Sequence, residues 1–243
     1  MKPKEFTSIS IIIPAWNESK TIKKVINEAE RVAQSLTNKF EIIVLDDCSS
    51  DNTLDILRKI AVPELKVLRH KRNQGIERSL RDLYRAAQYE VIFFNGADGD
   101  INMSVLKDFM KSMKKNDADI VVGNRVFKNY TVKRRVVSTL YNSLVWLMTG
   151  VRVYDAGTVK LVKAAHYKSK MTKSKSVFAE AERLVRSVVA GAKLIKVDIY
   201  QNQNKINDKV SIVQLWGCFL DLAALSLELS YRRLLAGVNK FSD

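Results

Sequence analysis

Short runs of apolar residues alternate with longer amphipathic stretches through the first half of the chain. The runs are rich in β-branched residues and end at polar or turn-forming positions, as is typical of buried strands. They lie at residues 9–14, 41–45, 65–68, 91–94 and 119–122. Between them, apolar residues recur every three or four positions, which predicts amphipathic helices. The helices lie at residues 22–36, 53–60, 76–88 and 104–115. This alternation predicts an α/β fold, with a mostly parallel central sheet and helices on both faces.

The second half of the chain loses the regular alternation of strand and helix. Further elements are predicted by the same rules, helices at residues 132–148 and 179–190 and strands at residues 158–162 and 194–200. No internal repeat, low-complexity tract or linker rich in proline and glycine divides the chain. Residues 1–210 are therefore predicted to form one domain and residues 211–243 a C-terminal amphipathic helical appendage.

The appendage contains a long apolar stretch at residues 212–236. Asp221 and Glu228 interrupt it, and each would be costly at the middle of a bilayer. A helix that packs on the domain or lies in a membrane interface is therefore expected in place of a membrane span. No signal peptide is expected at the short, polar N-terminus. These features predict a cytoplasmic protein, peripheral on the cytoplasmic face of a membrane.

The charge of the chain indicates what kind of partner it binds. Lysine and arginine total 41 against 26 aspartates and glutamates, which gives a formal charge of +15. Such a surface favours nucleic acid, nucleotide phosphates or anionic lipids. No recognition helix or platform of aromatic and basic residues is evident, so nucleic acid is not expected as a partner. Two cysteines and two histidines exclude a disulfide framework and a multi-histidine metal centre.

Polar clusters follow three of the predicted strands, at the strand ends where ligands bind in parallel sheets. They read PAWNE at residues 14–18, DDCSSDNT at residues 46–53 and NGADGDIN at residues 95–102. This ordered set resembles the family 2 glycosyltransferases, whose signatures are a PxxNE turn, a DDxSxD turn and a DxD-type motif. The resemblance covers residues 8–200. It implies the glycosyltransferase-A fold and a nucleotide-diphosphate sugar as donor.

The resemblance also implies which residues bind the donor. Asp46 would contact the base, because a carboxylate accepts hydrogen bonds from a base N–H or from ribose hydroxyls. The rest of the donor pocket would be formed by Pro14, Ala15, Trp16, Glu18, Asp47, Gly75 and Ala97. A second interpretation remains open, in which Asp46, Asp47 and Asp51 cap the helix that follows them.

Asp98 and Asp100 are the candidate metal ligands. The donor diphosphate needs a cation, and Mg²⁺ or Mn²⁺ is held by one or two carboxylates together with phosphate oxygens. Two alignments with the family motif are possible. In one, Asp98 and Asp100 form the DxD pair; in the other, Asp98 is the second aspartate of the motif and Gly96 replaces the first. Asp98 is a catalytic candidate in both.

The segment VVGNR at residues 121–125 resembles the GSR segment of polyprenyl-phosphate sugar transferases, the group that includes dolichol-phosphate mannose synthase. Arginine suits phosphate because its planar fork donates two parallel hydrogen bonds. Arg125 and one of Arg134 or Arg135 are therefore assigned to phosphates of the donor or the acceptor. The implied acceptor is a dolichyl or undecaprenyl phosphate. It is already anionic, needs no general base, and would react with inversion of the anomeric configuration.

Two segments depart from the pattern of this group. Residues 155–160 are shorter than its usual segment and lack the aromatic residue, and residues 203–211 lack the usual arginine and glycine. Lys205 or Lys209 would have to supply the missing positive charge. These departures also allow a hydroxyl acceptor on a glycan or glycolipid, with Glu180 or Glu182 as general base. The alternative interpretation of these two glutamates is an exposed helix face.

A lysine-rich run falls within residues 160–175. Each lysine near an anionic bilayer contributes about 1 kcal/mol, so the run predicts contact with an anionic membrane surface. The alternative is a solvated loop. The apolar appendage leaves three interpretations open: a membrane contact, an interface between copies of the chain, or a docking site for an integral-membrane partner.

Overall fold

A computed structural model of the 243-residue chain describes residues 8–126, 132–168, 172–174, 176, 178–201 and 212–238. Seven strands in these ranges form one sheet. Their bounds are β1 Ile9–Ala15, β2 Phe40–Asp46, β3 Leu65–Arg69, β4 Val91–Phe94, β5 Ile120–Arg125, β6 Lys160–Lys163 and β7 Leu194–Ile199. The predicted strands are confirmed, with ends that differ by at most three residues.

The helices of the described ranges also follow the predicted pattern. Their bounds are α1 Ile22–Gln34, α2 Thr53–Arg58, α3 Ile76–Ala86, α4 Val105–Lys115, α5 Val132–Thr149, α6 Ala164–Tyr167, α7 Ala179–Val189 and α8 Ile212–Val238. The single turn α6 was not predicted, because four residues are too few to show a helical period. None of the helices described is long and apolar enough to cross a membrane.

The strand order is β3-β2-β1-β4-β6-β5-β7. β1 pairs in parallel with β2 and β4, β2 with β3, and β5 with β7, whereas β6 runs antiparallel to both β4 and β5. The mostly parallel sheet is thus confirmed. The pairing also fixes the position of the motifs, because Ala15 is the register partner of Asp46 and Asp46 is the partner of Arg69. The polar turns after β1, β2 and β4 therefore meet at one edge of the sheet.

Both faces of the sheet are covered, as the buried apolar residues of its central strands require. Alternate residues of β1 point to opposite faces. Ile11 and Ile13 belong to a core that is closed by α1 and α4. Ile12 belongs to a second core, closed by α3, α5, α7 and α8. The C-terminal helix α8 therefore packs on the domain, and Leu222 and Leu225 are buried in this second core.

The prediction of a surface lysine run was wrong for Lys160. Its side chain is fully buried in β6, where Nζ lies 2.8 Å from Glu180 Oε2 and 4.6 Å from the ring centre of Phe94. Lys160 lies on the face of β6 that α7 covers, so its side chain does not reach solvent. Lys163 and Lys173 also form ion pairs, 2.8 Å from Asp119 and 3.1 Å from Glu228 respectively. Lys170 and Lys175 lie outside the described residues.

The prediction of an exposed face for the two α7 glutamates was also wrong. Glu180 is 7% exposed and Glu182 is 1% exposed. A buried carboxylate needs partners to offset its lost hydration. Glu180 accepts hydrogen bonds from Lys160 and from the Tyr167 hydroxyl, and Glu182 accepts one from Arg186 at 2.7 Å. Burial would raise the pKa of Glu180, but the positive charges of Lys160 and Arg183 hold it below its usual value.

Candidate active site

A cleft of about 640 Å³ opens at the edge of the sheet where β1, β2 and β4 end. Most of the predicted site residues line it together. They are Pro14, Ala15, Trp16, Glu18, Asp47, Gly75, Ala97, Asp98, Asp100 and Arg125. The residues come from the last positions of β1 and β5, from the turns that follow β1, β2 and β4, and from the start of α3. The parallel register explains this convergence, because it places consecutive strand ends side by side.

Two predicted residues, both described, are not among those that line the cleft. Asp46 is fully buried at the end of β2, where Oδ1 accepts the Ser49 N–H and Oδ2 lies 3.5 Å from Arg69 Nε. Arg135 is exposed on α5. The side chain of Arg134 lies outside the described residues, as do residues 203–211 with Lys205 and Lys209.

The PAWNE turn and the DDCSSDNT turn hold each other in place. Asn17, which has a positive φ of 56°, accepts the Ser50 N–H on its side-chain oxygen at 2.8 Å. The Glu18 N–H donates to Thr53 Oγ1 at 2.8 Å. These bonds link the start of α2 to the end of β1. Each motif therefore stabilises the conformation of the other, in addition to any contact that it makes with a ligand.

Asp51 acts at the start of α2, outside the cleft lining. Its Oδ1 accepts the Thr53 N–H at 2.9 Å, and its Oδ2 accepts the Ser19 N–H at 3.2 Å. Burial would raise the pKa of Asp51, but the hydrogen bonds from Thr53 and Ser19 lower it to about 2. Asp51 thus bonds to the first residue of α2 from the position before the N-cap residue, Asn52.

Asp47 orients the loop that leads into α3. Its carboxylate accepts the backbone N–H groups of Gln74 at 2.9 Å and of Gly75 at 2.7 Å, and it lies 2.6 Å from His70 Nδ1. Gly75 has a φ of 82°, a backbone conformation that glycine adopts at little cost. This arrangement brings the beginning of α3 to the cleft. The part played by His70 was not predicted, since nothing in the sequence marks it as the neighbour of Asp47.

Three polar atoms at the cleft have no hydrogen-bond partner among the described residues. They are Ser79 Oγ, Thr158 Oγ1 and Gln201 Oε1, and all three are buried. Unsatisfied buried polar groups are costly, and a bound polar ligand would satisfy them. The sequence did not single out these atoms, because isolated serine, threonine and glutamine residues form no motif.

Asp98 and Asp100 stand on a loop that is held by its own hydrogen bonds. Asn95 donates its amide to the carbonyl of Ile101 at 3.1 Å, and Asp98 Oδ1 accepts the Asp100 N–H at 3.1 Å. Gly99, between the two aspartates, has a φ of 70°. Both carboxylates line the cleft, and hard oxygen ligands of this kind suit Mg²⁺ or Mn²⁺. Within the described ranges, no three histidine, cysteine or acidic side chains form a metal-binding group.

Arg125, the last residue of β5, reaches the cleft with its guanidinium fixed by Asp155. Nε donates to Oδ2 at 2.6 Å and a terminal nitrogen donates to Oδ1 at 2.8 Å. The loop after Asp155 completes this wall of the cleft through Gly157, Thr158 and Val159. Gly123 lets that loop approach, because a Cβ there would lie 3.0 Å from Val159 and 2.6 Å from Ile199.

The glutamates considered as general bases are elsewhere. Neither Glu180 nor Glu182 lines the cleft. Both carboxylates are engaged with buried cations or with backbone N–H groups, such as that of Ser174 on Glu182 at 2.9 Å. They therefore act in the interior of the protein, between α7 and its neighbours.

Comparison with known sequences relates the chain to one family. The model of glycosyl transferase family 2 matches residues 10–175. An undecaprenyl-phosphate 4-deoxy-4-formamido-L-arabinose transferase of Pseudomonas syringae pv. syringae (strain B728a) is 29% identical over 161 residues, which are 65% of this chain and 47% of that protein. A dodecaprenyl-phosphate galacturonate synthase of Rhizobium johnstonii is 24% identical over 195 residues, 78% of this chain and 56% of that protein. The chain thus spans about half the length of these relatives.

Comparison with solved structures relates the chain to one fold. Glucosyl-3-phosphoglycerate synthase from Mycobacterium tuberculosis, in complex with uridine diphosphate, has a TM-score of 0.71 at 14% identity, over 91% of this chain and 80% of that one. TarS from S. aureus, in complex with UDP-GlcNAc, has a TM-score of 0.60 at 18% identity, over 90% and 66%. These likenesses confirm the glycosyltransferase-A fold.

Proposed function

The chain belongs to glycosyl transferase family 2, and on that premise we propose that it moves a sugar from a nucleotide-diphosphate sugar to a polyprenyl phosphate. The observation that carries the proposal is the cleft, which collects two aspartates and one fixed arginine at a single sheet edge. Two relatives support the acceptor class, because their names specify undecaprenyl and dodecaprenyl phosphate.

The donor would occupy the side of the cleft formed by the turns after β1 and β2 and by the start of α3. Trp16, which is 54% exposed, offers an aromatic face there, and Ser79 offers a hydroxyl that has no protein partner among the described residues. Asp47 holds the Gly75 backbone at this side. Asp46 would lie behind this surface, because its side chain is buried.

Asp98 and Asp100 would hold a divalent cation together with oxygens of the donor diphosphate. Two carboxylates on one loop fit Mg²⁺ or Mn²⁺, which take few protein ligands when a phosphate supplies the others. Such an ion would supply positive charge next to the departing nucleoside diphosphate. Solved structures of glucosyl-3-phosphoglycerate synthase with Mn²⁺ and uridine diphosphate support a divalent cation as cofactor.

Arg125 would bind a phosphate of the donor or the acceptor. Its guanidinium is already oriented by Asp155, so binding would cost little side-chain entropy. A phosphate oxygen of the acceptor would form a bond to the anomeric carbon as the bond from that carbon to the diphosphate breaks. Because that oxygen is anionic at neutral pH, no general base is required. Positioning and electrostatic stabilisation would supply most of the rate.

The hydroxyl acceptor is the alternative, and the geometry favours it less. Transfer to a hydroxyl needs a general base within hydrogen-bond reach of the substrate. Glu180 and Glu182, the two residues considered for that task, are buried in ion pairs outside the cleft.

A donor-release assay tests the proposal. The purified chain is incubated with Mg²⁺ or Mn²⁺ and a panel of UDP- and GDP-sugars, with and without undecaprenyl or dolichyl phosphate in detergent. The expected result is release of nucleoside diphosphate only with the lipid phosphate, while radiolabelled sugar moves to the organic phase. Turnover that does not depend on the lipid, or no turnover with any donor, would overturn the proposal. Transfer to an added glycan would establish the alternative.

A further inference from the structure

Helix α5 carries a stripe of exposed apolar residues. The stripe advances by four or three residues at each step, so it follows one face of the helix. Its members are Val132, Val136, Leu140, Leu144 and Leu147, with exposed fractions between 39% and 79%. Trp146, which is 47% exposed, lies beside the end of the stripe.

Helix α8 carries a second stripe of the same kind. Its members are Trp216, Phe219, Leu220, Leu227 and Tyr231, with exposed fractions between 44% and 73%. The rings of Trp216 and Phe219 stack, with their centres 5.8 Å apart. Large aromatic residues at the surface of a helix are typical of helices that lie at a membrane interface.

The two helices are neighbours, and their other faces are already occupied. Val145 of α5 and Leu222, Leu225 and Leu229 of α8 are buried in the core on that side of the sheet. The Ser226 hydroxyl donates to the carbonyl of Met148 at 3.0 Å and links α8 to α5. The two stripes therefore form the remaining outer surface of a packed helix pair, named here the α5–α8 face.

The acidic residues of this helix pair are turned away from the α5–α8 face. Helix α5 contains no aspartate or glutamate. On α8, Asp221 accepts the Ser176 hydroxyl at 2.6 Å, and Glu228 forms ion pairs with Arg186 at 2.8 Å and with Lys173 at 3.1 Å. The two acids that interrupt the apolar stretch of the sequence are thus bonded to the body of the protein.

Basic residues flank the α5–α8 face. Arg135 is exposed on α5, and Arg152 is exposed with its guanidinium carbon 5.1 Å from the ring centre of Trp146. The described side chains of the face and its flanks are therefore apolar, aromatic, cationic or, at Thr139, Ser143 and Ser230, uncharged hydroxyl groups. The chain as a whole carries a formal charge of +15. This combination complements the surface of an anionic bilayer, which offers acyl chains below negatively charged headgroups.

We propose that the α5–α8 face docks on an anionic lipid bilayer, with both helices lying in the plane of the interface. A second copy of the chain fits less well, because a symmetric contact would bring the same cations from both copies together. The inference rests on the proposed function in one respect: a polyprenyl-phosphate acceptor would be embedded in that bilayer. Docking would then hold the protein at the membrane that contains its lipid substrate.

Vesicles without polyprenyl phosphate test docking separately from transfer. The full chain is mixed with vesicles of phosphatidylcholine alone or of an equal mixture with phosphatidylglycerol, and bound protein is separated by flotation. We expect binding to the mixed vesicles, and weaker binding in high salt because surface attraction is screened. Failure to bind the mixed vesicles would overturn the inference. It would leave the proposed function intact, since the transfer assay presents the acceptor in detergent.

Tryptophan fluorescence locates the contact. The chain has three tryptophans, of which Trp16 lies in the cleft while Trp146 and Trp216 belong to the α5–α8 face or its edge. Brominated phospholipids quench a tryptophan that enters the interface. We expect quenching of the unaltered chain and its loss in the variant Trp146→Phe/Trp216→Phe, which retains only Trp16. Equal quenching in that variant would mean that another surface docks.

Charged substitutions on the α5–α8 face provide a second test of docking. Leu147→Glu and Leu227→Glu should each weaken vesicle binding by about tenfold, the effect of withdrawing one leucine side chain from the interface. Val189→Glu on α7, where the valine is 48% exposed, is the matched control and should leave binding unchanged. Circular dichroism and thermal unfolding verify that each variant folds. Unchanged vesicle binding in both leucine variants, or a dimer in sedimentation that the leucine variants dissociate, would overturn the inference.

Discussion

Arg125 and Asp155 are joined by two parallel hydrogen bonds, 2.6 and 2.8 Å long, at the wall of the cleft. The residues lie 30 positions apart in the sequence, at the end of β5 and in the loop before β6. The pair fixes the plane of the guanidinium before any ligand arrives. A lysine at position 125 would keep the charge but could not form the same two-point contact.

The first prediction concerns this pair. Asp155→Asn should lower kcat/KM for transfer by about 10- to 100-fold, because charge-assisted bonds contribute about 1.5–3 kcal/mol and the freed guanidinium loses its orientation. Arg125→Lys should cause a loss of similar size. The matched control is Asp198→Asn. Asp198 accepts a hydrogen bond of 2.6 Å from the Asn124 amide, and neither residue lines the cleft. Equal rates for the Asp155 and Asp198 variants would contradict a role for the pair in catalysis.

The second prediction concerns Asp98 and Asp100. If both carboxylates hold a divalent cation, Asp98→Asn and Asp100→Asn should weaken Mn²⁺-dependent binding of UDP or GDP, because an amide is a poorer ligand than a carboxylate. Calorimetric titration of the nucleotide with and without Mn²⁺ measures the effect. We expect at least about a tenfold loss, or roughly 1.4 kcal/mol. Binding without the metal should change little.

The matched control for these variants is Asp108→Asn on α4, where the aspartate is exposed and does not line the cleft. Each variant should unfold at the temperature of the unaltered chain to within a few degrees. Mn²⁺ dependence that survives both cleft substitutions would assign the cation to other residues.

The third prediction concerns the buried ion pair of Lys160 and Glu180. Glu180→Gln should lower the free energy of unfolding by about 3–5 kcal/mol, because it leaves the Lys160 charge buried without its partner. Replacing both residues, as Lys160→Met/Glu180→Leu, should cost less than the sum of the single changes. Urea unfolding measures each value. The control, Glu28→Gln in the surface pair with Lys24, should change the value by less than about 1 kcal/mol.

The same pair predicts a dependence of stability on pH. Burial alone would raise the pKa of Glu180. The positive charges of Lys160 and Arg183 outweigh burial and hold the pKa below its ordinary value of 4.5 in the folded chain. Its contribution to stability is therefore present above pH 4.5 and is lost as the pH falls from there through the lower folded pKa. The stability difference between the unaltered chain and Glu180→Gln should shrink over that range. A difference that stays constant would mean that Glu180 does not titrate in the folded protein as described.

The sequence predicted the main strands and helices because their patterns are local. The run at residues 9–14 is apolar at every position except Ser10, and β1 is correspondingly buried on both faces. Lys160 is a residue whose environment such local patterns do not predict. A strand was predicted over that residue, but not its place between β4 and β5 or the contact of its face with α7, which buries the lysine and supplies Glu180 as its partner. Those pairings depend on residues far apart in the chain, and no local period records them.

The sequence likewise predicted some residues of the candidate site and missed others. Asp98 and Asp100 were predicted because carboxylates in a short motif after a strand mark an edge of the sheet where ligands bind. Ser79 and Thr158 reach the same cleft through the packing of α3 and of the loop before β6. Asp46 belongs to a motif, yet its side chain is buried below the surface that its neighbour Asp47 reaches. A motif thus identifies the loop, while the tertiary structure decides which side chain of the loop faces the ligand.

The fourth prediction compares two buried serines on helices. Ser79 Oγ lines the cleft without a hydrogen-bond partner among the described residues, whereas Ser187 Oγ donates to the carbonyl of Arg183 at 2.8 Å. Ser79→Ala should leave the free energy of unfolding unchanged or slightly higher, because it removes an unsatisfied buried group. It should raise the KM for the donor by about three- to tenfold if the hydroxyl bonds to it, the size expected for one neutral hydrogen bond. Ser187→Ala should do the reverse, lowering stability by about 1 kcal/mol with no change in KM. If Ser79→Ala instead destabilises the chain and leaves KM unchanged, the hydroxyl is structural and the donor does not reach the start of α3.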